Sequence, residues 1–328
     1  MLCSYCQEEK QLTGEHLFPK SIIDLFPESE YNLRGKDEKP FKSEHIVIND
    51  VCNKCNNENL SDLDTYGSKL VEEYFVKTYE ADDNLTLNYN HSMLSRWLLK
   101  IAFNIARTKK DDIDTTWFNY NRKYILGHLT DPEAPFSIFG GLSVDMTPLP
   151  EFYFDNLKMG LYFNPLLIRD SILTFDNPVE YKFKTRESLE TLKIDKLLLS
   201  VIIRFGSGMF LVFLWDKNIS STEKRTMEKL IGSLYPYVLL GSDLDEVKLE
   251  RVTHAYNYHH YYIIDTNMGL GIADQTNCLL STSIDPIQNR KDASKEWNQH
   301  VEGIRENRRI KRQKEREKRK RKKQKKNR

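Results

Sequence analysis

The sequence predicts an α+β protein in three parts. These are a cysteine-rich N-terminal unit over 1–80, an α+β middle domain with antiparallel sheet over 81–285, and a polybasic tail, helical or disordered, over 286–328. Three observations carry this reading. Two C-x-x-C pairs, Cys3/Cys6 and Cys52/Cys55, bracket most of the first part. In the second, a helix-period apolar stripe over 93–105 precedes the run LLLSVIIRFGSGMFLVFLWD at 197–216, which reads as two buried strands around a Gly-Ser-Gly turn. The third part is dominated by Lys and Arg. A chain of 328 residues can hold one large domain or two to three small ones.

Taken in order, residues 27–43 are rich in Pro, Gly and charge and read as a loop. HIVIND at 45–50 is short and β-branched and reads as a strand running into the second cysteine pair. After Cys55, residues Leu60, Leu63, Leu70, Val71 and Phe75 recur at helical spacing, with Gly67 as a candidate break. Met93, Leu94, Trp97, Leu98, Ile101, Ala102 and Ile105 form the stripe of a core helix. Trp117, Tyr120 and Tyr124 suggest another helix. Strand signals dominate from about 136 to 265: KMGLYFNP at 158–165, LLSVIIRF at 198–205, GMFLVFLW at 208–215 and HHYYIID at 259–265. Between them, 221–236 opens with Ser/Thr caps and shows one apolar face through Met227, Leu230, Ile231 and Leu234, so it reads as a helix. No internal repeat is evident, and FGGLS and FGSGM lack the spacing of a phosphate-binding glycine loop.

The net charge of +1 conceals an asymmetry. Residues 305–328 hold 16 Lys/Arg against 3 Asp/Glu; the rest of the chain holds 33 against 45, a net of −12. An acidic body therefore carries a basic tail. The tail has no apolar residue after Ile310, so it cannot pack as a core helix, and such runs attract polyanions. Cys3 and Cys6 follow Met1 at once, leaving no room for an apolar leader core, and the run at 197–216 is interrupted by Arg204 and the turn. The expectation is a cytoplasmic protein without a membrane partner.

Five cysteines in such a chain do not suggest disulfides. Each C-x-x-C can form a knuckle with two thiolates aimed at one ion, so Cys3, Cys6, Cys52 and Cys55 make a four-sulfur structural zinc site. The 45 residues between the pairs exceed the gap of a compact zinc ribbon, so the segment must leave the site and return. A redox reading lacks the βαβ context it needs. Cys278 has no sequence neighbour and reads as an ordinary thiol. A four-sulfur zinc is closed, so any chemistry lies in what it holds in place.

C-x-x-C, then GEHLFP at 14–19, then a strand, then NDVCNKCNN at 49–57 resembles the HNH, or ββα-metal, endonuclease family, in its zinc-stapled, treble-clef-like branch similar to phage endonuclease VII. The likeness covers residues 3–64. It implies His16 as general base and Asn49 as the residue orienting it. It also implies Glu15 and Asn56 as ligands of a catalytic divalent ion, Mg²⁺ or another, beside the structural Zn²⁺. Asn57 and Asn59 compete with Asn56, and Glu15 stands where Asp is commoner. The residue types suit phosphodiester hydrolysis. An ion held by few protein oxygens keeps positions open for phosphate and water. An imidazole with an ordinary value near 6.5 is mostly neutral, as a base must be. Neighbouring strand residues point apart, so both can serve one centre only at a distorted strand end, with Gly14 easing the bend and Pro19 ending the pairing.

Other candidates are weaker. Glu58, Asp62 and Asp64 follow on a helix, where acids are usually solvated. His45 also follows a Glu, without the Pro after it. His259 and His260 lie in an aromatic run that reads as packing, although its rings could stack bases. In the tail, Arg316, Lys318, Arg319, Lys320, Arg321, Lys322 and Lys323 are the candidate phosphate contacts. The expected activity is metal-dependent endonucleolytic cleavage of nucleic acid, with DNA as the expected substrate. Bacterial or phage defence and restriction are the settings suggested by analogy. The middle domain is left for a protein partner or a second copy. The rival is a non-catalytic zinc module that binds nucleic acid.

Overall fold

The computed structural model describes residues 1–26, 32–34 and 40–42; 47–142 save 78, 80–82 and 110–111; 166–170; 196–250 save 235–236; and single positions between 303 and 317. The strands expected at 158–165 and 259–265 lie outside these residues. So do His45, His259, His260 and Cys278, and the seven basic tail residues named above.

Strand β1 (Leu12–His16) is followed by helix α1 (Lys20–Leu25), with Pro19 at its N-cap. The segment expected as a loop contains two short strands, β2 (Asn32–Arg34) and β3 (Pro40–Lys42), paired antiparallel. Composition misled here because Pro40 takes the first position of its strand, where the missing N–H is tolerated. Strand β4 (Val47–Cys52) pairs antiparallel with β1 and confirms the strand read before the second cysteine pair. A π-helical turn over Cys55–Asn59 leads into helix α2 (Ser61–Tyr74).

Gly67 does not break α2. A β-carbon there would lie inside the indole of Trp97, so the glycine admits a ring from the next helix. After strand β5 (Asn84–Asn88) comes that helix, α3 (His91–Lys109), and then α4 (Asp112–Ile125), both at the expected places. Strands β6 (Phe136–Leu142), β7 (Leu166–Asp170), β8 (Leu197–Phe205) and β9 (Gly208–Trp215) follow. Helix α5 (Ser221–Leu234) opens with a reciprocal cap. Glu223 Oε2 accepts from the Ser220 N–H at 2.8 Å, and Ser220 Oγ accepts from the Glu223 N–H at 3.2 Å. Strands β10 (Val238–Leu239) and β11 (Glu246–Glu250) complete the described elements.

The architecture is α+β with antiparallel sheet, as the sequence predicts. Five strands run in the order β10-β6-β9-β8-β7, and β5 pairs with β11. Strand β9 is buried at every position, which explains its unbroken apolar run. The β8–β9 turn lands on the end of α2. The Ser207 N–H donates to Phe75 O at 3.0 Å, and Gly206, at φ +56°, lies where a β-carbon would strike that carbonyl. Trp97 stacks on Phe205 at 4.7 Å. One cluster of buried apolar residues thus has members from Cys3 to Leu249, on both sides of residue 80. No described helix is long and apolar enough to cross a membrane.

Candidate metal centre and the His16 strand

The first knuckle is a tight turn closed by the Gln7 N–H on Cys3 O at 2.9 Å, with Gln7 at φ +60°. It docks on β4 through the Ser4 N–H to Asp50 O, 2.9 Å, and Ser4 Oγ to Asp50 Oδ2, 2.7 Å. The second knuckle begins at the end of β4, and the Cys52 N–H donates to Cys3 Sγ at 3.3 Å. The Sγ atoms of Cys3, Cys6, Cys52 and Cys55 all lie within 4.8 Å of one another, and all four cysteines are free.

This donor set fits a zinc ion. Cys6 Sγ and Cys52 Sγ are 3.8 Å apart. Zn–S bonds of about 2.3 Å in a tetrahedron require about that S···S separation. Burial pushes the thiols of Cys6 and Cys55 up. Burial acts the same way on Cys3, but the N–H groups of Cys52, Cys6 and Tyr5 outweigh it and bring Cys3 down to about 7. A cation at the centre is what lets all four ionise together. Cys3, Cys52 and Cys55 are buried, as suits a closed structural site.

Between the knuckles lies the β1–β4 pair. Thr13 faces Val51, Glu15 faces Ile48 and His16 faces Val47, so Gly14 alone stands against both Asn49 and Asp50. This is a β-bulge in β4. Asn49 Oδ1 and the Val47 side chain crowd the position a Gly14 β-carbon would take, so a larger residue there would have to displace them. The distortion precedes Glu15 instead of separating it from His16. Their regular pairing therefore sends the two side chains to opposite faces. His16 shares its face with Val47 and Asn49, and both of these are exposed. Glu15 turns into the protein and is 3% exposed. Asn56 holds the strand from the side, with Nδ2 donating to Thr13 Oγ1 at 3.1 Å and to Gly14 O at 3.0 Å.

Helix α3 covers the inner side. Lys100, fully buried, places Nζ 2.6 Å from Glu15 Oε1 and 2.6 Å from both carboxylate oxygens of Asp64. Asp64, read from the sequence as an ordinary helix-surface acid, is thus drawn into a charged cluster. Burial lowers the Lys100 amine, but the Asp64 and Glu15 carboxylates outweigh it and hold it above its ordinary value. Burial, aided by the Glu15 charge, raises Asp64 against the pull of Lys100. The leading causes differ: the two carboxylates hold the proton on Lys100, whereas burial, with the Glu15 charge added, holds it on Asp64. One helical turn on, Asn104 Nδ2 donates to His16 O at 3.0 Å and Leu17 O at 3.2 Å. Arg107 then pairs with Asp50 and Asn104 and lies over the Tyr5 and Phe103 rings.

The donors expected for a second, catalytic ion fit less well than the cysteines. Glu15 is inward and engaged by Lys100. Asn56 uses its amide nitrogen on β1, leaving its Oδ1 without a hydrogen bond among the described residues. The sequence reading missed Lys100, Asn104 and Arg107. Their signal was present as a polar series at i, i+4 and i+7 beside the apolar stripe of the same helix.

No family model matches this chain, and neither does any curated protein or solved structure.

Proposed function

We propose that the protein is an HNH-type endonuclease that hydrolyses phosphodiester bonds in nucleic acid, with DNA as the expected substrate and His16 as general base. The observation that supports this best is the order of parts around His16. A knuckle leads into β1; after α1 and the β2–β3 pair, β4 returns antiparallel to β1 and runs into the second knuckle and α2, with His16 and Asn49 on one face of the β1–β4 pair. The staple holds the ends of this unit, leaving the imidazole face clear of zinc chemistry. His16 would take the proton of an attacking water, and Asn49 would orient the ring. A divalent ion, when bound, would neutralise phosphate charge, with Asn56 Oδ1 as its available protein oxygen. No step is derived through Glu15 as a ligand, because its carboxylate is turned to Lys100. Cytoplasmic location, a role in defence or restriction, and a protein partner or second copy on the middle region belong to the same proposal.

The test is cleavage of plasmid DNA by the purified zinc-loaded protein with Mg²⁺. His16→Ala should reduce the rate by about 100-fold or more, the usual contribution of general acid–base catalysis. Equal rates for the two proteins would remove His16 as the base. One observation favours the rival reading, a zinc module that binds nucleic acid without cutting it: the inward carboxylate of Glu15. DNA binding without cleavage by the wild type would decide for it.

A further inference from the structure

Helix α3 grips consecutive residues of the chain at 15–17. Lys100 holds the Glu15 side chain, and Asn104 holds the carbonyls of His16 and Leu17. Lys100 and Asn104 stand four positions apart, so both face the strand from one side of the helix. Donors and acceptors balance. The ammonium has three protons and three acceptors at 2.6 Å: Glu15 Oε1 and both Asp64 oxygens. The Asn104 amide has two protons and two carbonyls, and its Oδ1 accepts from Tyr5 Oη at 3.3 Å and from Arg107. Arg107 is the looser rung, since its buried Nε has no hydrogen-bond partner among the described residues.

We propose that α3 is the positioning element of the His16 strand, and that Lys100 keeps the Glu15 carboxylate turned inward, so that Glu15 acts through the strand and not as a metal ligand. The proposal rests on the reading of His16 as the reactive base. With every Lys100 and Asn104 proton used, this buried pair of rungs favours one arrangement, because a departure strands a donor or a charge in the interior. Swinging Glu15 toward an ion on the outer face would leave one Lys100 proton without an acceptor and would cross the plane of the strand pair. Holding it inward fixes the rotation of β1, and that rotation presents His16 on the other face beside Asn49. Asp64 ties the same ammonium to α2, so the helix following the second knuckle is locked to the strand following the first.

The test uses the zinc-loaded full chain with isotope-labelled histidine, so that the His16 imidazole resonances report its placement directly. Four proteins are compared: wild type, Glu15→Gln, Lys100→Met, and the neutral triple variant Glu15→Gln/Asp64→Asn/Lys100→Met. The triple variant leaves no unpaired buried charge and should fold even if Lys100→Met alone does not. It should show displaced His16 resonances and a kcat lower by about 100-fold at unchanged KM, the scale of a misplaced reactive group. Manganese(II) broadening of the His16 resonances should be absent, or half-maximal at the same concentration in wild type and Glu15→Gln. A rise of about tenfold or more in that concentration would make Glu15 a ligand and overturn the proposal. Wild-type resonances and kcat in the folded triple variant would overturn it as well. Absence of cleavage by the wild type would remove the proposed endonuclease function alone, because the resonances would still decide the positioning role.

Discussion

Lys100 is a full charge with no exposed surface, set against two carboxylates. Replacing a buried pair by neutral groups costs little, whereas removing one partner leaves an uncompensated charge. Lys100→Met should therefore cost about 3–5 kcal/mol in urea unfolding, while the neutral triple variant should stay close to wild type. The pH dependence has a definite sign. The folded-state value of the Lys100 amine lies above its ordinary 10.5. Its contribution to stability is then complete at neutral pH and is lost as pH rises through that folded value. Thermal melts should show a smaller alkaline fall in the triple variant than in wild type; the remainder belongs to Tyr5, Tyr79, Tyr89 and Tyr237, which burial also raises. Asp64 is also raised, so it favours the folded state increasingly as pH falls through its own value. An acid limb should come from other groups.

The same economy of space governs the elements. Gly67→Ala would drive a methyl group into Trp97, which is buried and stacked on Phe205. It should destabilise by about 1–3 kcal/mol, although alanine is the better helix former, and a urea midpoint would show it. Removing zinc tests the knuckles. A chelator should abolish hydrogen-exchange protection in β1 and β4, while β9, buried throughout, keeps its own. These elements differ in how plainly the sequence announced them. The α3 stripe and the β8–β9 hairpin were legible because periodicity reports burial, and most of both is buried, save the half-buried Met93 and the start of β8, where Leu198 is exposed. The four cysteines were legible because metal ligands come in fixed local spacings. Gly67 was misread because a glycine in a helix looks the same whether it breaks the helix or admits a neighbour. The facing of Glu15 was hidden because a bulge shifts register by one residue, and nothing in LTGEH or VINDVC marks which strand holds the extra one. Lys100 was hidden for a further reason: its partners lie 85 and 36 residues away, and a single sequence shows no pairing.

At the scale of the whole molecule, charge is divided between an acidic body and the basic segment 305–328. If the tail supplies the affinity for nucleic acid, a chain ending at Ile304 should bind DNA weakly at low salt. Its slope of log affinity against log salt should be shallower by about 0.9 for each phosphate that the tail neutralises. Unchanged binding, measured by fluorescence anisotropy across a salt series, would show that the body binds alone. Within the body, buried contacts span the expected boundary at residue 80. Trp97, Lys100, Asn104 and Arg107 all reach back into the first 75 residues, and the β8–β9 turn seats on Phe75. A fragment 1–80 would keep Glu15 and Asp64 and lose the only ammonium that joins them among the described residues.

That cluster also orders events in time. A nascent chain emerges N-terminus first. Glu15 and Asp64 leave the ribosome before Lys100 does, and β5 waits for β11, over 150 residues later. The cysteines can bind their ion early, yet the strand bearing His16 cannot settle until α3 has been made. The four cysteines are therefore made before the helix that anchors the His16 strand, and a product truncated before Lys100 would carry the whole candidate metal site without the ammonium that holds Glu15.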